Sequence, residues 1–532
     1  MKWITFFTLF VGTAWCSDLL QEMSLEEKVG QLLMVHFNGE TANEDARVLI
    51  QESKVGGIIY YNWSNGLSSP LQVMTLSAEL QKLAKKNRFE IPLLIAADQE
   101  GGVVARLQKG FTCFPGNRAL GETKDCSYAK AAFFAMGQEL QAVGINMNLA
   151  PVVDVNSNPK NPVIGVRSFG DDPELVSAFG KQALEGLKQA GVISTLKHFP
   201  GYGDVAVDPH EDLPIIRKSK EELEKIELVP FTKLASFADA IMTAHILVPA
   251  FDADHCSTLS EKTLSYLRDT IGFKGVIVAD SLIMDGVLKK CHSVEEASIR
   301  AFNAGCDLLI LGGKLLGGKH AGYELEVADV KRIHEALVAA VKSGRIDEGK
   351  LDCAVLRLLA LKDRCIQSEQ SNCSCIASLK HFSLAQTIAS SALEIIERQS
   401  IGNLREKTML VVAPKLLEPM LQNTTLCKLS KSTELYFFPS LAPSKEEIEH
   451  VLQRAQSAQI LLVCSYNAWK NHSAVAMIEA LLSLQKPLIL CCLRDPLDAD
   501  LFPKADLVFK TFSPSVASMQ AICDALGKRE SL

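Results

Sequence analysis

Residues 197–214, KHFPGYGDVAVDPHEDLP, place one lysine, two histidines and four acids in a single segment framed by three prolines and two glycines. Within it, Asp208-Pro209-His210 sets an acid two residues before an imidazole. Proline fixes its own φ and disfavours the helical region for the residue before it. In the extended segment that results, residues two apart point the same way. The Asp208 carboxylate can then orient and polarise His210, as the acid–histidine half of a hydrolytic triad does, which makes His210 a candidate proton donor. A second chemical group lies in GVIVADSLIMDGV (275–287), where an apolar run ends on Asp280. A carboxylate desolvated by such neighbours suits a nucleophile or base; its plainer use is to cap the next helix. ADQEGGVVARL (97–107) puts Asp98 before Gly101-Gly102, a pair that lets backbone turn tightly beside a ligand. NPVIGVRSFGDDP (161–173) offers Arg167, a strong donor to carboxylates and hydroxyls.

These groups need a frame. Short apolar runs recur at 31–37, 55–61, 92–98, 146–154, 193–199, 240–246, 275–280 and 306–312, with amphipathic stretches such as LSAELQKLAKK and VSAFGKQALEGLKQA between them. Continuous apolar runs alternating with helical patterns predict parallel strands covered on both faces. Eight such units predict a (β/α)8 TIM-type barrel. Asp98, Asp154, Lys197, His198, His245 and Asp280 fall at or near the C-terminal ends of these runs, the end where barrel enzymes build their sites. The loop after the fifth strand then lies over that rim.

The chain has 532 residues, more than one ordinary domain holds. After residue 364 a polar stretch, 365–380, reads as a linker. Apolar runs restart at 408–414, 434–439, 460–466, 487–493 and 506–512, and Ser444 with Glu447 forms a capping-box pattern. The division predicted is a catalytic barrel over 18–364 and a smaller parallel α/β sandwich domain over 381–532. No GxGxxG turn assigns a nucleotide to the latter.

Net charge is −7, with no Lys/Arg-rich block, which argues against nucleic acid and acidic membrane surfaces as partners. The start, MKWITFFTLFVGTAWCSD, has a lysine, an apolar run from Trp3 to Trp15 and then small residues. This is the shape of an export signal covering residues 1–17 and too short for a membrane span; no later segment spans a membrane. A lipid-bearing Cys16 is the alternative, to which Trp15 is a poor fit. The 15 cysteines form neither a disulfide framework nor a zinc pattern, and Cys306, Cys464, Cys491 and Cys492 sit in apolar runs as small buried groups.

Taken together, KHFPGYGDVAVDPH, DQEGG, NPVIGVRSFG and GVIVADSLIMDG resemble glycoside hydrolase family 3, in its β-N-acetylglucosaminidase branch of two-domain type. The resemblance runs from about Ser24 to Arg364 and extends to the second domain. It implies Asp280 as nucleophile, His210 as general acid/base with Asp208 as its partner, and Asp98, Arg106, Arg167, Lys197 and His198 as holders of the sugar. It implies a carbohydrate substrate carrying terminal GlcNAc, with peptidoglycan fragments foremost, and neither cofactor nor metal. The chain departs from the family at Tyr202, usually His, and at Pro209, often Ser. Three other readings stand beside this one. A β-glucosidase of the same family takes its acid/base from the second domain, against the Asp-x-His loop. A metal-dependent barrel hydrolase would use His198, His245 and Asp280, but strand one carries only His36. A non-catalytic glycan-binding cell-wall protein would have no use for the full set of chemical groups.

Overall fold

The computed structural model describes residues 16–205, 213–315, 322–366 and 373–529. Strands β1 (Leu33–Val35), β2 (Gly57–Ile59), β3 (Leu94–Ala97), β6 (Met147–Asn148), β7 (Ile193–Phe199), β8 (Ala240–Thr243), β9 (Val276–Ala279) and β10 (Leu308–Leu311) close into a parallel barrel in the order β1-β10-β9-β8-β7-β6-β3-β2. All eight fall inside the predicted apolar runs. Between β3 and β6 a small antiparallel hairpin, β4 (Gln99–Gly101) with β5 (Val104–Ala105), stands on the rim. It escaped sequence reading because two- and three-residue strands have too few side chains to show a period.

The barrel strands are buried along their whole length, as strands packed inward and against a helical shell must be. Helices such as Pro70–Ala84 and Pro173–Gln189 start where a serine or aspartate accepts a backbone N–H and proline takes the first turn.

The second domain is one sheet formed by β11 (Glu394–Glu397), β12 (Thr408–Pro414), β13 (Ser432–Phe438), β14 (Ile460–Ser465), β15 (Leu488–Cys492) and β16 (Leu507–Lys510), in the order β11-β16-β15-β14-β12-β13. Its side chains alternate between two cores: Ile460, Leu462 and Cys464 join one, Leu461 and Val463 the other. The predicted capping box at Ser444 and Glu447 is present. The sheet departs from the parallel pattern in one place: β11 runs antiparallel to β16. Three of its four residues are exposed, so no apolar run announced it.

The segment read as a linker does not stand away from the barrel. Of its residues, 367–372 lie outside those described. Cys375 Sγ lies 3.6 Å from the carbonyl oxygen of Gln138, on barrel helix Ser127–Ala142, and the Ala377 amide donates to Glu139 on the same helix at 3.1 Å. Helix Leu379–Ala392 begins inside the expected linker. Glu139 is the reason: its buried carboxylate also accepts from Thr112 and pairs with His381 Nδ1 at 2.8 Å, and a buried carboxylate needs such partners.

At the start of the described chain, residues 16–22 are helical, and Cys16 is only 3% exposed within the barrel's core cluster. None of the described cysteines is in a disulfide.

Candidate active site

The rim hairpin sets up the first half of the site. Gly101 and Gly102 hold φ of 85° and 59°, values that favour glycine, and a Cβ on Gly102 would lie 2.7 Å from Gly116 Cα. The hairpin returns the chain so that the Arg106 amide donates to the Asp98 carbonyl at 3.2 Å and Arg106 Nη2 reaches Asp98 Oδ2 at 3.1 Å. From two strands along the barrel, Lys197 on β7 places Nζ 2.8 Å from both Asp98 Oδ1 and Glu100 Oε1. Glu100 in turn takes Arg167 through two parallel bonds, Nε–Oε2 at 2.9 Å and Nη2–Oε1 at 2.8 Å.

The result is an alternating chain of five charges, Arg106–Asp98–Lys197–Glu100–Arg167. Burial pushes both carboxyls up, but the charges of Lys197 and Arg106 outweigh it and hold Asp98 well below the usual carboxylate range. Arg167 and Lys197 likewise hold Glu100 down at about 2. Burial favours the neutral amine of Lys197; Asp98 and Glu100 outweigh that too, so its pKa is raised. All five groups are therefore charged at neutral pH, and each is fixed by its neighbours before a ligand arrives.

A second unit orients His198. Asp154, fully buried, accepts from the His198 amide at 3.1 Å and the Tyr202 amide at 2.7 Å through Oδ1, and pairs with His198 Nδ1 at 2.7 Å through Oδ2. The carboxylate selects the Nδ1–H tautomer and leaves Nε2 as the ring's other polar atom. Tyr202, one of the departures from the family pattern, sets its ring 5.9 Å from that of His198.

Asp280 follows β9 directly. The Ser281 amide donates to its Oδ1 at 2.7 Å. Ser281 is itself held twice: its hydroxyl donates to the Gly312 carbonyl at 2.6 Å, and His245 Nε2 donates to its carbonyl at 2.9 Å. His245 Nδ1 meets Thr258 Oγ1 at 2.8 Å. Both ring nitrogens of His245 are thus engaged away from Asp280, which leaves the metal-hydrolase reading without its second histidine. Among the described residues, no group of three or more His, Cys, Asp or Glu could hold a metal ion.

Asp98, Arg106, Arg167, Lys197, His198, His245 and Asp280 line one cavity of about 430 Å³ at the C-terminal mouth of the barrel. On the side of Asp280, Met242, Met284 and Ile310 give it an apolar wall. At the rim, Tyr61 and Trp63 stack at 5.1 Å and 18°, with Lys314 Nζ 4.1 Å from the Trp63 ring centre. Burial, helped by Asp98, pushes the Tyr61 phenol well above its usual range, so it keeps its proton. Asp208 and His210 lie outside the described residues, as do Pro209, Glu211 and Asp212.

Sequence reading assigned no part to Glu100, Tyr61, Trp63 or Lys314. Glu100 had a signal: among the residues assigned to hold the sugar, three cations stood against the single carboxylate Asp98. A second anion was needed, and the same motif, DQEGG, carries one.

A parallel barrel whose mouth encloses a small, densely hydrogen-bonding pocket with a strand-end carboxylate on one wall is the frame of a glycoside hydrolase. Residues 24–361 match the glycosyl hydrolase family 3 N-terminal domain, and the chain belongs to that family. It is 32% identical over 442 residues to beta-hexosaminidase A of Pseudoalteromonas piscicida, covering 76% of this chain and 72% of that one. It is 36% identical over 282 residues to the beta-hexosaminidase of Photobacterium profundum, covering 52% of this chain and 81% of the relative. The solved family 3 beta-N-acetylglucosaminidase of a Paenibacillus species superposes with a TM-score of 0.86 at 36% identity, over 95% of this chain and 97% of that one.

Proposed function

We propose that this glycoside hydrolase is a retaining exo-β-N-acetylglucosaminidase that removes terminal GlcNAc from glycans, peptidoglycan fragments foremost. The observation that carries the reading is the pocket. About 430 Å³ is at the small end of small-molecule sites (roughly 300–1,000 Å³), which suits one terminal sugar rather than a through-going chain. Its charged side offers hydroxyl partners through Asp98, Arg106, Arg167, Lys197 and His198. Its apolar side, Met242, Met284 and Ile310, adjoins Asp280 and suits the methyl of a 2-acetamido group beside the anomeric carbon.

In the mechanism proposed, the Ser281 amide engages one oxygen of Asp280 and the other attacks the anomeric carbon, giving a glycosyl-enzyme. His210, oriented by Asp208, protonates the departing oxygen, then takes a proton from the water that releases the sugar. Pocket groups already fixed by one another spend no further ordering on the transition state.

Hydrolysis of 4-nitrophenyl β-glycosides that differ only at C2 tests the substrate. The N-acetylglucosaminide should be clearly preferred and EDTA should change nothing. Equal or faster turnover of the glucoside would sink the reading in favour of a β-glucosidase.

Export is part of the proposal, supported by the apolar run from Trp3 to Trp15. Burial of the Cys16 side chain counts against a lipid on its sulfur. N-terminal sequencing of mature protein should begin at about residue 17, and a chain starting at Met1 or Lys2 overturns export. Among the described residues no helix is long and apolar enough to cross a membrane.

A further inference from the structure

The two barrel loops that supply the Glu100–Arg167 pair are both held by the second domain. Short helix Asn117–Glu122 lies between them and that domain. At its start, the Asn117 side-chain amide donates to the Arg167 carbonyl at 2.8 Å. Just before it, the Gly116 amide donates to Ser513 Oγ at 3.2 Å, a buried bond between residues 397 apart in sequence. Gly116 is the N-cap residue of this helix; the N3 residue, Ala119, has no side-chain oxygen to reach back to the Gly116 amide as in a capping box, and the acceptor comes from the other domain. Ala119 of the same helix forms a small sealed cluster with Ala392 and Phe512. On the other loop, Lys470 Nζ donates to the Pro162 carbonyl at 3.0 Å, five residues before Arg167.

The second domain's side of one of these contacts is strained. Phe512, next to Ser513, holds a left-handed φ of 57°, where phenylalanine meets a steric penalty. Such a conformation persists where the surroundings over-determine it, and Phe512 packs against Ala119 of the barrel. Asn467, which opens the turn carrying Lys470, holds φ 54°, a left-handed conformation asparagine adopts readily.

From these contacts we infer that Ser513 and Lys470 are positioning residues for the sugar-holding pair, acting through the backbone of residues 99–117 and 161–167, and that the second domain is a working part of the active site. Arg167 meets Glu100 through two parallel bonds, an arrangement that tolerates little rotation. Its carbonyl is fixed by Asn117, the residue after Gly116, whose amide Ser513 holds. Loosening either strand-end loop of the second domain shifts the arginine relative to Lys197 and Asp98, and small displacements at a pre-organised site cost rate. The inference rests on the reading of Arg167 as a holder of the sugar.

The test uses the full chain and 4-nitrophenyl N-acetyl-β-D-glucosaminide. Ser513→Ala and Lys470→Met should each lower kcat/KM by about 2- to 10-fold, the scale of one hydrogen bond. Ser513→Thr and Lys470→Arg should restore it, with the melting temperature of Lys470→Met close to wild type. In an Arg167→Lys background, the same two substitutions should cost under about 2-fold, because coupled residues do not add. Wild-type kinetics in both single variants, or equal losses in both backgrounds, overturn the inference. Wild-type kinetics in Arg167→Lys itself would instead overturn the reading of Arg167, so the two failures are distinct.

Discussion

Arg167 and Glu100, 67 residues apart, meet through two parallel hydrogen bonds of 2.8 and 2.9 Å with the carboxylate almost wholly buried. The pair is closed on its other side by Lys197, which shares Oε1 of the same carboxylate at 2.8 Å.

Glu100→Gln keeps the shape and removes the charge that two buried cations depend on. Breaking such a pair from one side costs about 3–5 kcal/mol. Urea unfolding of this variant should show that loss, together with a fall in kcat/KM as Arg167 loses its seat. Unchanged stability would mean that Arg167 and Lys197 draw their compensation from Asp98 alone.

The same carboxylate makes the fold acid-sensitive in a defined window. Its folded pKa, about 2, lies below the ordinary 4.5, so the unfolded chain binds the proton more readily. The stability it contributes is complete above about pH 4.5 and is lost as pH falls toward about 2. Asp98 is shifted in the same direction. Unfolding free energy measured across this range should fall more steeply for wild type than for Glu100→Gln; parallel slopes would show that the pair is not what titrates.

Asp154 has no hydrogen-bond partner in the five-charge chain, though its charge adds to those that hold Arg167 protonated; its direct side-chain partner is His198. Asp154→Asn can still accept the amides of His198 and Tyr202 but presents an N–H to His198 Nδ1. The ring must then change tautomer or turn. A charge-assisted hydrogen bond is worth about 1.5–3 kcal/mol, so KM should rise by roughly 10- to 100-fold while the fold survives. Asp154→Ala also strands two buried amides and should lower the melting temperature. An unaltered KM in Asp154→Asn would remove His198 from sugar binding.

The proposed division between Asp280 and His210 is read by leaving group. Asp280→Asn should disable every substrate. His210→Ala should cost about 10²–10⁴-fold where the leaving oxygen needs a proton and much less for the first step with nitrophenolate. A burst of nitrophenol, then slow turnover that azide accelerates, is the expected trace; Asp208→Asn should give a milder form. Equal loss on both substrate types, with no burst and no azide rescue, would send the search for the acid/base to Asp204, Glu211 and Asp212.

The parts legible in the sequence share a physical cause. Strands such as Leu308–Leu311 are apolar on both faces because both faces are packed, and a continuous run shows without any alignment of periods. Asp98, Lys197, His198 and Asp280 were legible because each stands at or near the C-terminal end of such a run. Glu394–Glu397 was not, since an exposed edge strand pairs through backbone and carries no apolar signature. Trp63 and Lys314 were not, since they meet only after β10 closes against one edge of β1 and β2 against the other. The packing of this segment on the barrel was hidden for the same reason: nothing local to residues 373–381 declares that Glu139, more than two hundred residues earlier, awaits Ala377 and His381.

The bond from Gly116 to Ser513 also has a meaning in time. During synthesis the barrel leaves the ribosome first, and the Gly116 amide waits for its Ser513 acceptor while 397 further residues are made. Ala119 waits with it for Ala392 and Phe512. A chain released early, even one carrying every residue that touches the sugar, therefore has this corner of its mouth unfinished. That corner is completed only after the last strand of the second sheet, Leu507–Lys510, has emerged.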